Sequence, residues 1–490
     1  MSTLPNIFNK LSNRVKLILI LIFLTLFNYL IRFYSFDKAV MDWDESTYIL
    51  AGQALHENNY KLYTDIIDVK PVGIFLIYYL NSYLFDNLIF GSRVLGWLFV
   101  SFTSFLIGLV ATKIYHFKVV YSIIPGIIFS LLMAFCFPGS FNENFYGLDI
   151  NSEHYFMFFS TLSIFIILIS QNKTGLFLSG FCLGIAFIIK YVVIANLIIL
   201  FIIIFYNSKG SYEKPLNTIG RDFLKLFVSF CLPIVLVIIY FFINHRLEEL
   251  IHITFTIPSN YRSDIPIEKY YDYFKRYLIR IWPLVMLSLA SFIHIISSNK
   301  FKTGYVLSLF WLLASILGIL LPGRTFFHYT YQLAPAVTLL SLPIIERAEK
   351  LSSNFKYLVV ILFILGTWKI SNNKYLKIFK PEDEVRVVAT ELSDIMMEED
   401  ILFIDNTYHI IYMLTDKIPP TPYFHPSNIY VNFEKYLIDQ DEEYYNIFEM
   451  KKPNYVLVIG EPSSNIIKKY LQKYSLIKTV NEKYNIYHLH

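Results

Sequence analysis

Residues 175–206, which read GLFLSGFCLGIAFIIKYVVIANLIILFIIIFY, decide the topology of this chain. Lys190 is the single charged residue among them. One helix of this length would measure about 48 Å, which is too long for a hydrocarbon layer of about 30 Å unless the helix is steeply tilted. The alternative is two short spans that break at Lys190-Tyr191. We choose two spans, because one span would place the following basic segment outside, and short basic loops tend to stay cytoplasmic.

The composition of the whole chain agrees with a membrane protein. Of the 490 residues, 55% are hydrophobic and only 16% are charged, whereas soluble domains carry about 25% charged residues. An ordinary soluble protein is therefore excluded. The net charge of +4 gives no support for a nucleic-acid partner. The three cysteines, Cys136, Cys182 and Cys231, lie in apolar runs and offer neither a disulfide framework nor zinc-type spacing.

Other apolar runs of membrane-crossing length occur along the first three quarters of the chain. The first follows Lys10, Arg14 and Lys16; we interpret it as a span with a cytoplasmic N-terminus, because a signal peptide would need a small-residue cleavage site. Together the runs predict about eleven spans. They lie near residues 17–34, 93–112, 119–137, 154–170, 175–189, 191–206, 224–243, 278–297, 304–321, 332–345 and 356–370.

The short run 72–85 decides the orientation of the later spans. It is rich in tyrosine and interrupted by Asn81, so we place it as an amphipathic helix on the outer interface. If it crossed the membrane, Lys113 and Lys118 would face outward. The odd number of spans then puts the C-terminus outside. We therefore predict a membrane domain, residues 1–370, with its first outer loop at 35–92.

The composition becomes that of a soluble protein from about residue 371. Apolar runs at 401–404 and 455–459 are typical of strands and alternate with charged, helix-like stretches. We predict a small α/β domain, residues 371–490, outside the membrane. The fold class is thus an all-α polytopic membrane protein with a C-terminal α/β domain.

Acidic residues gather in the first outer loop, which holds eight of them together with three lysines. It contains Met41-Asp-Trp-Asp-Glu-Ser-Thr-Tyr48 and, about twenty residues later, Asp68-Val-Lys70-Pro71. Asp44 and Glu45 precede a helix-compatible run, so one interpretation is that they only stabilise a helix N-terminus. The nearby Asp68 and Lys70 favour a second interpretation, chemistry on a phosphorylated lipid substrate at the membrane surface.

These motifs resemble the polytopic GT-C glycosyltransferases, in particular the branch of protein mannosyltransferases and aminoarabinose-lipid A transferases. The resemblance rests on Asp-Glu-x-x-Tyr followed by Asp-x-Lys-Pro after one N-terminal span. The common Lys-Pro-Pro is Lys70-Pro71-Val72 here. Weaker matches lie along the rest of the membrane part: Arg93, Ser152-Glu153-His154, residues 180–190, His328-Tyr329 and Pro335.

The resemblance implies transfer of a sugar from a polyprenyl-phosphate donor to an acceptor hydroxyl or amine at the outer membrane face, usually with inversion. It assigns the general base to Asp44, with Glu45 orienting the acceptor or the helix. The acceptor would be a glycolipid, a polysaccharide or a protein, and the host membrane a bacterial inner membrane. No metal or other cofactor is expected, since a lipid monophosphate has no diphosphate to neutralise.

The leaving phosphate needs positive charge and hydrogen-bond donors nearby. The expected donor-phosphate or substrate-binding residues are Asp68, Lys70, Arg93, Glu153, Lys190, Arg324, His328 and Tyr329. Some have simpler explanations. Arg93 could anchor a helix end by snorkelling to the interface, Glu153 could be a solvated helix start, and the loop 323–329 could be structural. Lys190 is harder to explain without function, because a lysine in so apolar a setting usually marks a site or a specific partner.

Two further clusters receive structural interpretations. In the loop 244–277, Tyr270, Tyr273 and Tyr277 form a helical stripe, which we assign to the headgroup layer rather than to a lid over the donor. In the C-terminal domain Asp405, His409, Asp416 and His425 match no metal motif, so we expect them on a solvated surface.

Two other classes of function compete with an enzyme. A secondary transporter would place its ionisable residues near the bilayer midplane, whereas most charges here lie in outer loops. A non-catalytic subunit of envelope polysaccharide export would explain the soluble domain but leaves the acidic motifs unexplained.

Overall fold

The computed structural model describes residues 11–136, 148–209, 216–261, 266–298, 301–344, 383–406, 408–425, 428 and 439–490. Most of them form helices, which confirms the predicted helical class. The helices before residue 345 are α1 Asn13–Arg32, α2 Trp43–Glu57, α3 Val72–Leu84, α4 Leu88–Tyr115, α5 Ile123–Leu131, α6 Ser152–Ile169, α7 Lys173–Ile189, α8 Leu197–Lys209, α9 Leu216–Ile243, α10 Leu247–Ile251, α11 Ile257–Tyr261, α12 Ile267–Arg280, α13 Trp282–Ser298, α14 Lys302–Leu320 and α15 Ala334–Leu340.

The C-terminal part contains helices and one sheet. Its elements are α16 Glu384–Ser393, β1 Leu402–Asp405, α17 Ile410–Leu414, α18 Gln440–Tyr445, β2 Tyr455–Ile459, α19 Asn465–Tyr470, β3 Tyr474–Val480 and β4 Tyr484–Leu489. The sheet order is β1-β2-β4-β3, with β1 and β2 parallel and the other pairs antiparallel. The predicted α/β character is thus confirmed. The hairpin β3–β4 was not predicted, because neither strand is a continuous apolar run and the middle of β3 is exposed.

Five helices in the described part of the chain are long and apolar enough to cross a membrane. They lie at Asn13–Ser35, Leu88–Tyr115, Ser152–Ile169, Asn217–Ile243 and Lys302–Leu320. A sixth results if α12 and α13, which meet at 86°, count as one broken span. The chain is an integral membrane protein, whereas the predicted total of about eleven spans stays a prediction. The eleventh predicted span, 356–370, lies outside the described residues.

The break at Lys190 is confirmed. α7 ends at Ile189, Lys190 has an extended backbone, and a 3₁₀ turn at Tyr191–Asn196 leads into α8. α3 has only 13 residues, which is too short to cross a hydrocarbon layer of about 30 Å as a helix.

Small residues allow the helices of the membrane part to pack closely. Ser163 of α6 and Ser179 of α7 each donate to the other's backbone carbonyl, at 2.8 and 2.9 Å. At Gly180 a Cβ atom would lie 2.2 Å from the carbonyl oxygen of Leu226 in α9. Such contacts are typical of helices that associate in a membrane, where small residues let backbones approach.

The chain forms two compact units. The first comprises Met1–Ser35, Arg93–Ile238 and Ser263–Ile378, and the second comprises Phe36–Ser92, Ile239–Arg262 and Phe379–His490. The first outer loop therefore belongs to the same unit as the C-terminal sheet. The predicted boundary between residues 370 and 371 lies outside the described residues and stays a prediction.

The tyrosine stripe of α12 does not occupy the position that we predicted. The helix forms, but Tyr273 and Tyr277 are buried. The Tyr273 hydroxyl donates to the Phe326 carbonyl at 2.9 Å, and its ring stacks on Phe327. The assignment of this stripe to the headgroup layer was therefore wrong for both residues, because the aromatic face of the helix packs against protein.

Candidate active site

The first candidate cluster lies in the second unit and begins at the N-terminus of α2. The Asp42 side chain caps this helix by accepting from the Asp44 N–H at 2.8 Å. Asp44 and Glu45 therefore occupy the first turn, as predicted, where the helix dipole favours negative charge. The two carboxylates point in different directions: Asp44 is partly exposed, whereas Glu45 is buried and accepts from the Ser92 hydroxyl at 3.3 Å.

The Asp-x-Lys-Pro segment provides the counter-charge for Asp44. Lys70 Nζ lies 3.1 Å from Asp44 Oδ1 and 3.4 Å from the carboxylate of Asp68. Asp68 is buried and also accepts from the Lys70 backbone N–H at 3.0 Å. Burial lowers the pKa of Lys70, but the negative charges of Asp44 and Asp68 together have the larger, opposite effect. The pKa is therefore raised overall, and the ammonium stays charged. These three predicted residues thus form one ion-paired group.

Two histidines from the C-terminal part complete this cluster. His425 Nε2 lies 3.4 Å from Asp44 Oδ1. His409 Nε2 lies 2.8 Å from the hydroxyl of Thr47, which follows Asp44 by about one turn of α2. The Trp43 ring contacts both imidazoles, with centroid distances of 6.3 and 6.1 Å. We call Asp44, Asp68, Lys70, His409 and His425 the acid–histidine cluster.

The expectation of a solvated surface for the C-terminal polar residues was therefore wrong for three of the four. His409, His425 and Asp405 are buried, and only Asp416 is exposed. Asp405 accepts from the Ser463 hydroxyl at 2.5 Å. A signal for burial was present in the sequence, since His409 and His425 are flanked by large apolar residues in Tyr408-His-Ile-Ile and Tyr423-Phe-His-Pro. Their proximity to Asp44 has no sequence signal.

The second candidate cluster lies in the first unit, where α7 breaks. Lys190 forms an ion pair with Glu153, which is buried in the first turn of α6. The ammonium also lies 4.4 Å from the centre of the Tyr329 ring, within the range of a cation–π contact. The structure thus brings three predicted residues together. Glu153 is not a solvated helix start, because its side chain is inaccessible to water.

The loop before α15 contributes the remaining residues of this second cluster. His328 is buried and stacks on Phe326, and its ring meets that of Tyr329 at 4.7 Å. Arg324 is half-buried earlier in the same loop. Tyr331, which was not predicted, donates to the buried Asp149 at 2.9 Å.

Arg93 lies elsewhere in the first unit. Its side chain is buried, and its Nε donates to the Ser35 carbonyl at 3.2 Å. A snorkelling arginine would keep its guanidinium in water, so the interpretation as an interfacial anchor was wrong. Its role in substrate binding stays a prediction.

No metal site was found in the described ranges, where no three His, Cys, Asp or Glu side chains are arranged to hold an ion. The acid–histidine cluster can carry out acid–base chemistry. It combines one partly exposed carboxylate, one buried carboxylate, a fixed ammonium and two imidazoles.

Comparisons with known proteins show the fold. Neither protein families nor curated protein sequences give a match. Among solved structures, ArnT from Cupriavidus metallidurans in the apo state has a TM-score of 0.58 at 10% identity, covering 97% of this chain and 98% of its own. Its complex with undecaprenyl phosphate gives a TM-score of 0.58 at 10% identity, with 95% and 97% covered.

An archaeal protein has a similar structure. The oligosaccharyltransferase AglB from Archaeoglobus fulgidus, in complex with an inhibitory peptide and a dolichol-phosphate, has a TM-score of 0.50 at 10% identity, covering 90% of this chain and 69% of its own. ArnT and AglB are both membrane glycosyltransferases of the GT-C superfamily. The chain therefore has the GT-C fold, as the sequence motifs predicted.

Proposed function

We propose that this protein is a glycosyltransferase that moves a hexose or pentose from a polyprenyl-phosphate donor to an acceptor hydroxyl or amine at the outer face of the membrane. One observation carries the proposal: a partly exposed carboxylate, Asp44, is held at a helix N-terminus with Lys70 3.1 Å away. The fold supports it, since ArnT binds undecaprenyl phosphate and AglB binds a dolichol-phosphate.

The proposed reaction is an in-line displacement with inversion. The acceptor oxygen or nitrogen attacks the anomeric carbon, and the bond from that carbon to the phosphate oxygen breaks with its electron pair on the phosphate. Asp44 takes the proton that the acceptor loses, since a carboxylate within hydrogen-bond reach can act as general base. The adjacent Glu45, held by Ser92, supports the first turn of α2.

The lipid phosphate gains negative charge as it leaves, and positively charged groups stabilise it. Lys190, Arg324, His328 and Tyr329 are our candidates, together with Arg93. Lys190 is paired with one carboxylate, whereas Lys70 lies beside two. This difference favours Lys190 for the phosphate. It gives Lys70 the additional role of fixing Asp44.

The acceptor in this proposal is a glycolipid, a polysaccharide or a protein. The site faces the extracytoplasmic side of a bacterial inner membrane, with the N-terminus in the cytoplasm and the C-terminal domain outside. The proposal requires no metal, because the donor carries a monophosphate.

Substitution of Asp44 by asparagine tests the proposal, with Asp86→Asn as a matched control, because Asp86 is an exposed carboxylate of the same loop. Envelope glycans of a deletion strain are compared by mass spectrometry with strains that express each variant. We expect Asp44→Asn to leave the missing sugar unrestored and Asp86→Asn to restore it. General-base loss predicts a rate reduction of about 10² to 10⁴-fold.

Binding of undecaprenyl phosphate to the purified variants, measured by native mass spectrometry, separates catalysis from folding. Asp44→Asn should bind this lipid as the wild type does. Full restoration of the glycan by Asp44→Asn would contradict the proposal.

A further inference from the structure

The C-terminal part of the chain places His425 against the carboxylate that we assign as general base. We propose that His425 is a positioning residue that acts through Asp44: its Nε2 accepts from that carboxyl group the proton that the acceptor has lost. This inference rests on the proposed function. The inference goes beyond that function, because the Asp-Glu and Asp-x-Lys-Pro motifs contain no histidine.

The backbone around His425 is fixed to the same loop that carries Lys70. The Ile67 N–H donates to the Pro422 carbonyl at 2.8 Å, and the Asn428 side chain donates to the Ile67 carbonyl at 3.4 Å. The Phe424 ring also contacts Tyr60, with a centroid distance of 6.4 Å. Contacts of residues before and after His425 therefore hold it beside Asp44.

The two histidines of the cluster differ in the groups that their Nε2 atoms contact. Burial, and then the neighbouring His425, lower the pKa of His409, so His409 stays neutral. The two imidazole centroids lie 5.6 Å apart, and His409 points its Nε2 at the Thr47 hydroxyl. His425, whose Nε2 lies 3.4 Å from Asp44 Oδ1, is therefore the imidazole that is placed to take a proton from this carboxyl group.

The charges around His425 are consistent with this path. Asp44 contacts its Nε2, Lys70 lies beyond Asp44, and Asp68 lies beyond Lys70. The Lys70 ammonium also lies 5.5 Å from the Tyr48 ring centre, so aromatic contact on α2 helps to fix it. Lys70 and His425 approach the same oxygen, Oδ1 of Asp44: the ammonium fixes the carboxylate, and the imidazole nitrogen lies beside the atom that carries the proton.

The proton balance is simple. The acceptor O–H or N–H bond breaks as the acceptor bonds to the anomeric carbon, and the proton moves to the Asp44 carboxylate. It then moves from Asp44 to Nε2 of His425 and from there to water. Asp44 returns to its ionised form, so the site is ready for another acceptor.

Kinetics of His425→Gln against pH test this step. Glutamine can donate a hydrogen bond to Asp44 but cannot accept a proton. Because glutamine has no group that can take up the proton from Asp44, we expect the dependence of kcat/KM on pH in His425→Gln to differ from that of the wild type. We also expect kcat to fall at least about tenfold. The control is His488→Gln, an exposed histidine on β4, and it should match the wild type.

A second variant distinguishes the loss of the proton acceptor from a change in structure. Added imidazole should restore activity to His425→Ala, because free imidazole can accept the proton although it is not attached to the backbone. A wild-type rate and pH profile in His425→Gln, or a folded His425→Ala that imidazole does not rescue, would overturn the proposal.

Failure of the proposed function itself gives a different result, because the wild type would then transfer no sugar. The contact between Asp44 and His425 is tested independently by the ring-nitrogen chemical shifts of labelled histidine. Asp44→Asn should change the shift of His425 and leave that of His488 unaltered. An unaltered His425 would reject the pairing whatever the enzyme transfers.

Discussion

Lys70 Nζ lies 3.1 Å from Asp44 Oδ1, and the same ammonium lies 3.4 Å from Asp68. One cation therefore holds two carboxylates that come from separate motifs. Without it, two negative charges would face each other beside a partly buried surface, where like charges disfavour ionisation. The geometry explains why an Asp-Glu pair and an Asp-x-Lys-Pro segment occur together in this chain.

Replacing Lys70 by methionine removes this counter-charge while keeping most of the side-chain volume. We expect sugar transfer to fall by at least about tenfold, since the carboxylate loses both its orientation and its stabilising charge. Lys70→Arg should retain part of the rate, because charge remains but the geometry differs. Initial rates of the three proteins provide the measurement. Lys61→Met, at an exposed lysine of the same loop, should behave as the wild type, and unchanged activity in Lys70→Met would refute the role given to this residue.

The pair of Glu153 and Lys190 should be a folding determinant as well as a site. Removing one partner of a buried pair leaves a charge uncompensated and costs about 3–5 kcal/mol, whereas replacing both by uncharged residues is often nearly neutral. We therefore expect Glu153→Gln to lower the thermal unfolding temperature in detergent. The double variant Glu153→Gln/Lys190→Met should regain most of the unfolding temperature that the single variant loses. If the double variant is no more stable than the single one, the two side chains are not coupled.

Glycine at position 180 is required by the close approach of α7 to α9. A Cβ there would lie 2.2 Å from the Leu226 carbonyl oxygen, while at Gly220, inside α9, it would meet nothing within 4 Å. Gly180→Ala should lower the unfolding temperature. Gly220→Ala should leave it equal or higher, because alanine favours a helix over glycine by about 1 kcal/mol. Equal effects of the two substitutions would show that the helices do not approach as described.

The stability of the protein should depend on pH through His409. Its pKa is lowered, first by burial and then by His425, so the folded protein keeps it neutral. The unfolded chain binds a proton there below about pH 6.5, so unfolding takes up a proton and stability falls as the pH drops. The slope approaches about 1.4 kcal/mol per pH unit. Thermal unfolding at several pH values between 5 and 7.5 measures it.

His409→Gln should have a shallower pH dependence than the wild type, because the titrating group is gone. His488→Gln should keep the wild-type slope, since its side chain is exposed in the folded protein. Identical slopes in all three proteins would mean that His409 is not the group that titrates on unfolding.

Much of the fold followed from local properties of the chain. Three such properties act within a few residues of the chain: the hydrophobicity of the apolar runs, the length of the uncharged stretch around Lys190, and the stabilisation of a helix N-terminus by the acids that follow Asp42. Hence the break at Lys190, the start of α2 and strands β1 and β2 could be predicted. The pairing of Glu153 with Lys190 was not predicted, since 37 positions separate them.

Sequence alone therefore determined that this is a membrane protein, because lipid imposes composition and length on every span, and its acidic motifs predicted the GT-C fold. The tertiary structure decided which polar groups meet. It buried Tyr273 and Tyr277 instead of leaving them at the headgroups, and it brought His425 from the C-terminal part to Asp44. Contacts between distant segments depend on packing and leave no periodic trace in the sequence.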